Sequence, residues 1–114
     1  MPGVIKETAV EKSAFKITAK SYDESGNLIA PDTLTWTLTD IQGVKIINSR
    51  ENVVITTPGS SENILLSGDD LALDNNEETD RIILFEATYT SAEFGAGIPL
   101  RDESVFTINP LTRL

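Results

Sequence analysis

The chain has 114 residues, enough for a single domain whose core needs no covalent staple. It contains neither cysteine nor histidine, which excludes disulfides, thiolate zinc sites, cysteine nucleophiles and the usual general base. Acidic residues outnumber basic ones 18 to 9, and the net charge of −9 opposes contact with nucleic acid or an anionic membrane while suiting basic partners.

Residues 1–12 are mixed and polar, and Val4-Ile5 can supply a short first strand. No apolar h-region follows Met1, so no signal peptide is expected, and no apolar run approaches the roughly 20 residues of a membrane span. Residues 14–22 alternate: Phe15, Ile17 and Ala19 share one face, with Lys16, Thr18 and Lys20 on the other. A turn at 23–27 leads to a short segment, 28–30, which ends at Pro31 because proline lacks the N–H of a central strand.

Thr33-Leu34-Thr35-Trp36-Thr37-Leu38-Thr39 alternates large apolar residues with threonine for seven positions. Successive side chains of a strand face opposite ways, so this is a half-buried strand with Trp36 turned to the core. Asp40-Ile41-Gln42-Gly43 closes it, and 44–48 reads as its hairpin partner. The spacing Asp-x-x-Gly occurs twice, at Asp23/Gly26 and Asp40/Gly43. Aspartate at the first turn position can accept backbone N–H groups, and glycine then takes the left-handed conformation.

Residues 53–56 form a β-branched run broken by Pro58-Gly59, and 63–67 carry Ile64, Leu65 and Leu66. A single helical turn is expected at 69–73, capped by Ser67 or Asp69, with a polar loop over 74–80. Residues 81–90 are a second strong strand, with Ile83, Phe85, Ala87 and Tyr89 on one face. Ile82 and Leu84 on the other face point to cover on both sides of its first half. A glycine-rich loop spans 91–97, and the last strand runs from about 103 to 108, with Phe106 and Ile108 inward and Pro110 beyond it. Short strands at turn spacings of about 8–12 residues predict an all-β, antiparallel sandwich or small barrel of roughly seven or eight strands.

Trp36 within an early strand, a helical turn near 69–73 and Ala87-Thr88-Tyr89 on a late strand resemble the immunoglobulin-like β-sandwich. The resemblance covers about residues 12–110 of a single domain spanning 1–114, and it implies Trp36 as the core residue of the third strand. Both cysteines of antibody-type domains are missing, and Tyr89 comes late for a tyrosine corner. The texture of Thr35-Trp36-Thr37-Leu38-Thr39-Asp40, Ile47-Asn48-Ser49-Arg50 and Leu65-Leu66-Ser67-Gly68-Asp69-Asp70-Leu71 resembles small immunoglobulin-like structural proteins of bacteriophages and prophages. That resemblance implies a non-catalytic head or tail component, found in the virion or the bacterial cytoplasm. Its partners would be copies of itself or other virion proteins.

Asp69, Asp70, Asp74, Glu77, Glu78 and Asp80 offer oxygen ligands to calcium, but their spacing is not that of an EF-hand, and a solvated loop is the simpler reading. Paired carboxylates on a polar loop lack the burial that would raise one pKa for glycosidase chemistry, and no Ser-x-x-Lys elbow appears. Gly95-Ala96-Gly97 is not a phosphate loop, since neither a helix nor a lysine follows. The expectation is therefore a protein without catalytic residues, cofactor or metal. Glu93, Phe94, Gly95, Ala96 and Gly97 form the candidate partner-binding loop. The competing reading of Phe94 folds it back over the end of the core. The alternative function is an immunoglobulin-like module that binds carbohydrate or calcium within a larger bacterial surface protein.

Overall fold

The computed structural model describes residues 3–73 and 79–110. Among these, seven strands occur in the order β1 (Gly3–Val10), β2 (Ala14–Lys20), β3 (Thr33–Asp40), β4 (Val53–Val54), β5 (Ser61–Ser67), β6 (Thr79–Ser91) and β7 (Gly95–Asn109). A 3₁₀ turn, Gly68–Leu71, follows β5. Five strands form one sheet, in the order β1-β7-β6-β3-β4, and β2 and β5 form the other. The chain changes sheet between β1 and β2, β2 and β3, β4 and β5, and β5 and β6. The result is an all-β, immunoglobulin-like sandwich. No helix among the described residues is long and apolar enough to cross a membrane.

The alternation in β3 sets the register of the core. Leu34, Trp36 and Leu38 stand opposite Ala87, Phe85 and Ile83 of β6, so six inward side chains share one face. From the smaller sheet, Phe15 pairs with Leu66 and Ile17 with Ile64, on the face turned to the larger sheet. Leu38, Leu66, Leu71, Ile83 and Ile108 are wholly buried, and Phe15 stacks on Phe106 with ring centroids 5.5 Å apart. Trp36 lies in this cluster with 6% of its surface exposed. On the outer face Ile82 and Leu84 are half-buried, as their position opposite Thr39 and Thr37 allows.

Several expectations are corrected. The first strand is eight residues long, and it pairs with β7 in parallel rather than antiparallel. Strands from opposite ends of a chain have no hairpin to force antiparallel pairing. The segment 44–48 does fold back on the end of β3, with the Asp40 N–H donating to the Lys45 carbonyl and the Ile47 N–H to the Leu38 carbonyl, but it forms no continuous strand. It makes one isolated bridge, Ile46 to Thr39, before Asn48, Ser49 and Asn52 turn to positive φ. The partner is the two-residue β4, with Val53 opposite Trp36 and Val54 opposite Thr35. β2 stops at Lys20, and Tyr22 instead bridges Leu28. β7 begins at Gly95, far ahead of the expected 103, so Gly95, Ala96 and Gly97 belong to a strand.

Both Asp-x-x-Gly segments make the same turn. Asp23 Oδ1 accepts the N–H groups of Ser25 and Asn27, and Asp40 Oδ1 accepts those of Val44 and Lys45. Gly26 and Gly43 have φ of 82° and 73°, a region where a Cβ is strained. The Asp40 carboxyl titrates below its ordinary value because the Val44 N–H, and others of the turn, stabilise the anion.

Asp70 ties the lower end of the sandwich together. Its side chain is wholly buried, and it accepts Arg50 Nε at 2.8 Å, Asn48 Nδ2 at 2.9 Å and the Ser67 N–H at 3.2 Å. The 3₁₀ turn that carries Asp70 leaves the smaller sheet, while Arg50 leaves the loop after β3, so the contact spans both layers. Arg50 also lies 5.9 Å from the Trp36 ring centroid. Burial pushes the Asp70 pKa upward, but the bonds from Arg50, Asn48 and Ser67 outweigh it and hold the group below the ordinary carboxylate value. The bond to Asp70 raises the Arg50 pKa correspondingly.

A depressed carboxyl pKa contributes stability that is complete above the unfolded value and lost as pH falls through the folded one. Asp70→Asn is therefore expected to cost about 2 kcal/mol at neutral pH. Between about pH 5 and pH 2 its stability is expected to fall less steeply than that of the parent. Urea denaturation across this window measures both effects.

Candidate functional site

The loops β2–β3 (residues 21–32), β4–β5 (55–60) and β6–β7 (92–94) lie at the same end of the sandwich. They contain Asp23, Glu24, Asp32 and Glu93 but no lysine or arginine. The longest strands, β6 and β7, carry the hairpin that reaches this end.

The hairpin turn is Ala92, Glu93 and Phe94, closed by pairing of Ser91 with Gly95. Ser91 Oγ accepts the N–H groups of Glu93 at 3.1 Å and Phe94 at 3.2 Å. Gly95 completes the turn with φ of 89°. Phe94 is therefore lifted away from the core and is 64% exposed. It does not fold back over the core end.

Two carboxylates of the β2–β3 loop fasten this hairpin. Glu24 accepts Tyr89 Oη at 2.8 Å through one oxygen and Ser91 Oγ at 3.2 Å through the other. Asp32 accepts Thr90 Oγ1 at 2.6 Å, and its N–H donates to the Thr88 carbonyl at 2.7 Å. Thr33 and Thr88 share a further hydroxyl bond at 2.7 Å. Tyr89 thus spends its hydroxyl on Glu24 rather than on a backbone carbonyl of a tyrosine corner. The bridge between Tyr22 and Leu28 sets two more exposed apolar side chains in this loop, at 46% and 50%.

Beneath this end, a cleft of about 300 Å³ opens between β2 and β7. Lys20, Tyr22, Leu34, Phe85, Leu100 and Asp102 are among the residues that line it. It exists because β1 pairs with Ser104 and beyond, leaving the earlier half of β7 bare on that side.

Of the five candidate residues, Glu93 and Phe94 sit in the turn, while Gly95, Ala96 and Gly97 begin β7. Glu24, Asp32 and Tyr22 are the residues that sequence reasoning missed. The sole hint was that the first Asp-x-x-Gly turn also holds Glu24. The acidic stretch disperses: Asp70 is committed to Arg50, and Asp80 accepts Thr107 Oγ1 at 2.7 Å. Asp74, Glu77 and Glu78 lie outside the described residues. Among the described residues, no three acidic side chains come together in a way that could hold a metal ion. Comparison with protein-family models, with curated proteins and with solved structures found no match.

The bond to Glu24 is the largest influence on Tyr89, followed by burial and the carboxylate charge, and together they raise its pKa above 10.0. Removing the carboxylate in Glu24→Ala is expected to bring one of the two tyrosines to a lower titration midpoint, read by ultraviolet absorbance. An unchanged Tyr89 midpoint contradicts the contact.

Proposed function

We propose that the protein is a non-catalytic binding module that engages another protein through the β6–β7 hairpin end. The observation that carries this reading is Phe94, 64% exposed on a turn held rigid from below. A large exposed aromatic is a burden on a monomer, and a rigid one loses little entropy on docking. The surrounding carboxylates and the absence of lysine and arginine from the three loops favour a partner with a basic rim around an apolar socket. A place in a phage or prophage particle, as a head or tail component, rests on the sequence resemblance. The alternative of a carbohydrate module draws on the cleft, whose volume of about 300 Å³ is at the small end for a ligand site.

A photo-crosslinking amino acid at position 94 tests the reading in particles or cells that produce the protein. Discrete adducts are expected from position 94, and far fewer from position 44, where Val44 is 81% exposed at the opposite end. Once the partner is in hand, Phe94→Ala is expected to weaken binding about 30-fold, the effect of losing a central aromatic anchor. Equal adducts from both positions, or binding indifferent to Phe94→Ala, contradict the proposal.

A further inference from the structure

The smaller sheet holds two strands, and among the described residues no strand pairs with the far edge of β5. Two hydrogen bonds that bracket β5 reveal which of its backbone groups face that edge. The Ser60 carbonyl accepts the Ser21 N–H at one end, and the Gly68 N–H donates to the Ser13 carbonyl at the other, both toward the β2 side. In an antiparallel ladder the N–H and C=O of one residue point the same way, and the direction alternates along the strand. Even-numbered residues of β5 therefore bond toward β2, and Ser61, Asn63, Leu65 and Ser67 direct their backbone groups outward. The Ser67 N–H agrees with this parity, since it leaves the ladder to meet Asp70 Oδ2 at 3.2 Å. Ser61, Asn63 and Leu65 remain, presenting N–H and C=O along an open edge.

Two other edges of the sandwich carry protection that this one lacks. β4 is two residues long, and the bare part of β7 contains Pro99, Arg101, Asp102 and Glu103. Short length, proline and charge are the ordinary devices that blunt an edge. β5, Ser-Glu-Asn-Ile-Leu-Leu-Ser, has a single charge, Glu62, whose carboxylate accepts the Gly59 N–H of its own chain. Leu65 stands 63% exposed on the outer face.

We infer that β5 pairs with β5 of a second copy, antiparallel and two-fold symmetric about Asn63. This register matches the three open residues to themselves: Asn63 meets Asn63, and Ser61 meets Leu65 of the second copy. It leaves the occupied Ser67 N–H outside the ladder. The two small sheets join as β2-β5-β5-β2, a closed pairing that uses the same surface on both copies.

Electrostatics permits this occupant. Glu62 falls opposite Ile64 of the second copy, so the one charge of the edge does not meet its like. Lys16 and Lys20 adjoin Leu65 and Ser61 on β2, with no acidic residue on that outer face. In the joined sheet, Lys16 and Lys20 of the second copy stand three strand spacings apart, about 14 Å, beyond the Debye length of about 8 Å at physiological salt. The remaining repulsion comes from the net charge of −9 on each copy, which salt also screens. Three residues on each side make a ladder smaller than a standard interface, so the dimer is weak, with a Kd on the order of 100 µM.

Sedimentation velocity and amide hydrogen exchange from roughly 10 µM to about 1 mM protein test the pairing. The expected result is a monomer–dimer equilibrium that strengthens with salt. Over the same range, the amides of Asn63 and Leu65 gain about fourfold protection, while those of Ile64 and Leu66 stay unchanged. Leu65→Lys is expected to remain monomeric with the melting temperature of the dilute parent, since the side chain is already in solvent. Val44→Ser, which removes an exposed apolar group elsewhere, is expected to dimerise as the parent does. A chain monomeric throughout, a dimer that survives Leu65→Lys, or protection without the odd–even pattern overturns the inference. A chain that stays monomeric and gains β5 protection only from a foreign extended peptide overturns it too.

Discussion

A two-stranded sheet has to cover the inner face of a five-stranded one, and most features of this molecule follow from that inequality. The inward residues of β2 and β5, chiefly Phe15, Ile17, Ile64 and Leu66, lie over Trp36, Leu38, Ile83 and Phe106. Where the cover ends, the chain either brings in another group to close the gap or leaves an opening. The 3₁₀ turn closes the lower gap by inserting Leu71 and Asp70. The cleft between β2 and β7 and the unpaired edge of β5 are the openings that remain.

Charge serves structure at both ends, in different ways. At the lower end a wholly buried carboxylate meets a partly exposed guanidinium, and the cost of burying Asp70 is offset by three donors. At the upper end Glu24 and Asp32 accept hydroxyl protons from Tyr89, Ser91 and Thr90. No basic residue is needed there, so the end keeps its negative charge while its hairpin is held fixed. A rigid aromatic tip in an acidic setting is the product of these contacts, and it is the feature on which the proposed binding role rests.

The parts of the fold visible in the sequence were those written in side-chain alternation. Residues 33–39 and 81–90 each repeat with period two, and they became β3 and the centre of β6 in register with each other. Trp36 at the core followed from the same pattern. Alternation says little about backbone-driven features. Residues 44–48 have a strand-like composition, but three non-glycine residues at positive φ interrupt the pairing with β3 until β4 resumes it. Gly95, Ala96 and Gly97 read as loop because they lack side chains to alternate, and they were recruited into β7 by the facing strand. The site was half legible: Phe94 stood out as an aromatic among small residues, whereas Glu24 lies 65 residues before Tyr89 and no local pattern announces that bond.

The fold closes around Trp36, which lies between the two sheets with the Arg50 guanidinium 5.9 Å from its ring centroid and 6% of its surface in contact with solvent. As the single tryptophan of the chain, it reports on this alone. Its fluorescence, titrated with iodide in the native and urea-unfolded protein, is the most direct measurement. A blue-shifted native emission that iodide barely quenches is the predicted result. Native emission at the wavelength of the unfolded chain, quenched just as freely, contradicts the enclosed core and everything built on it.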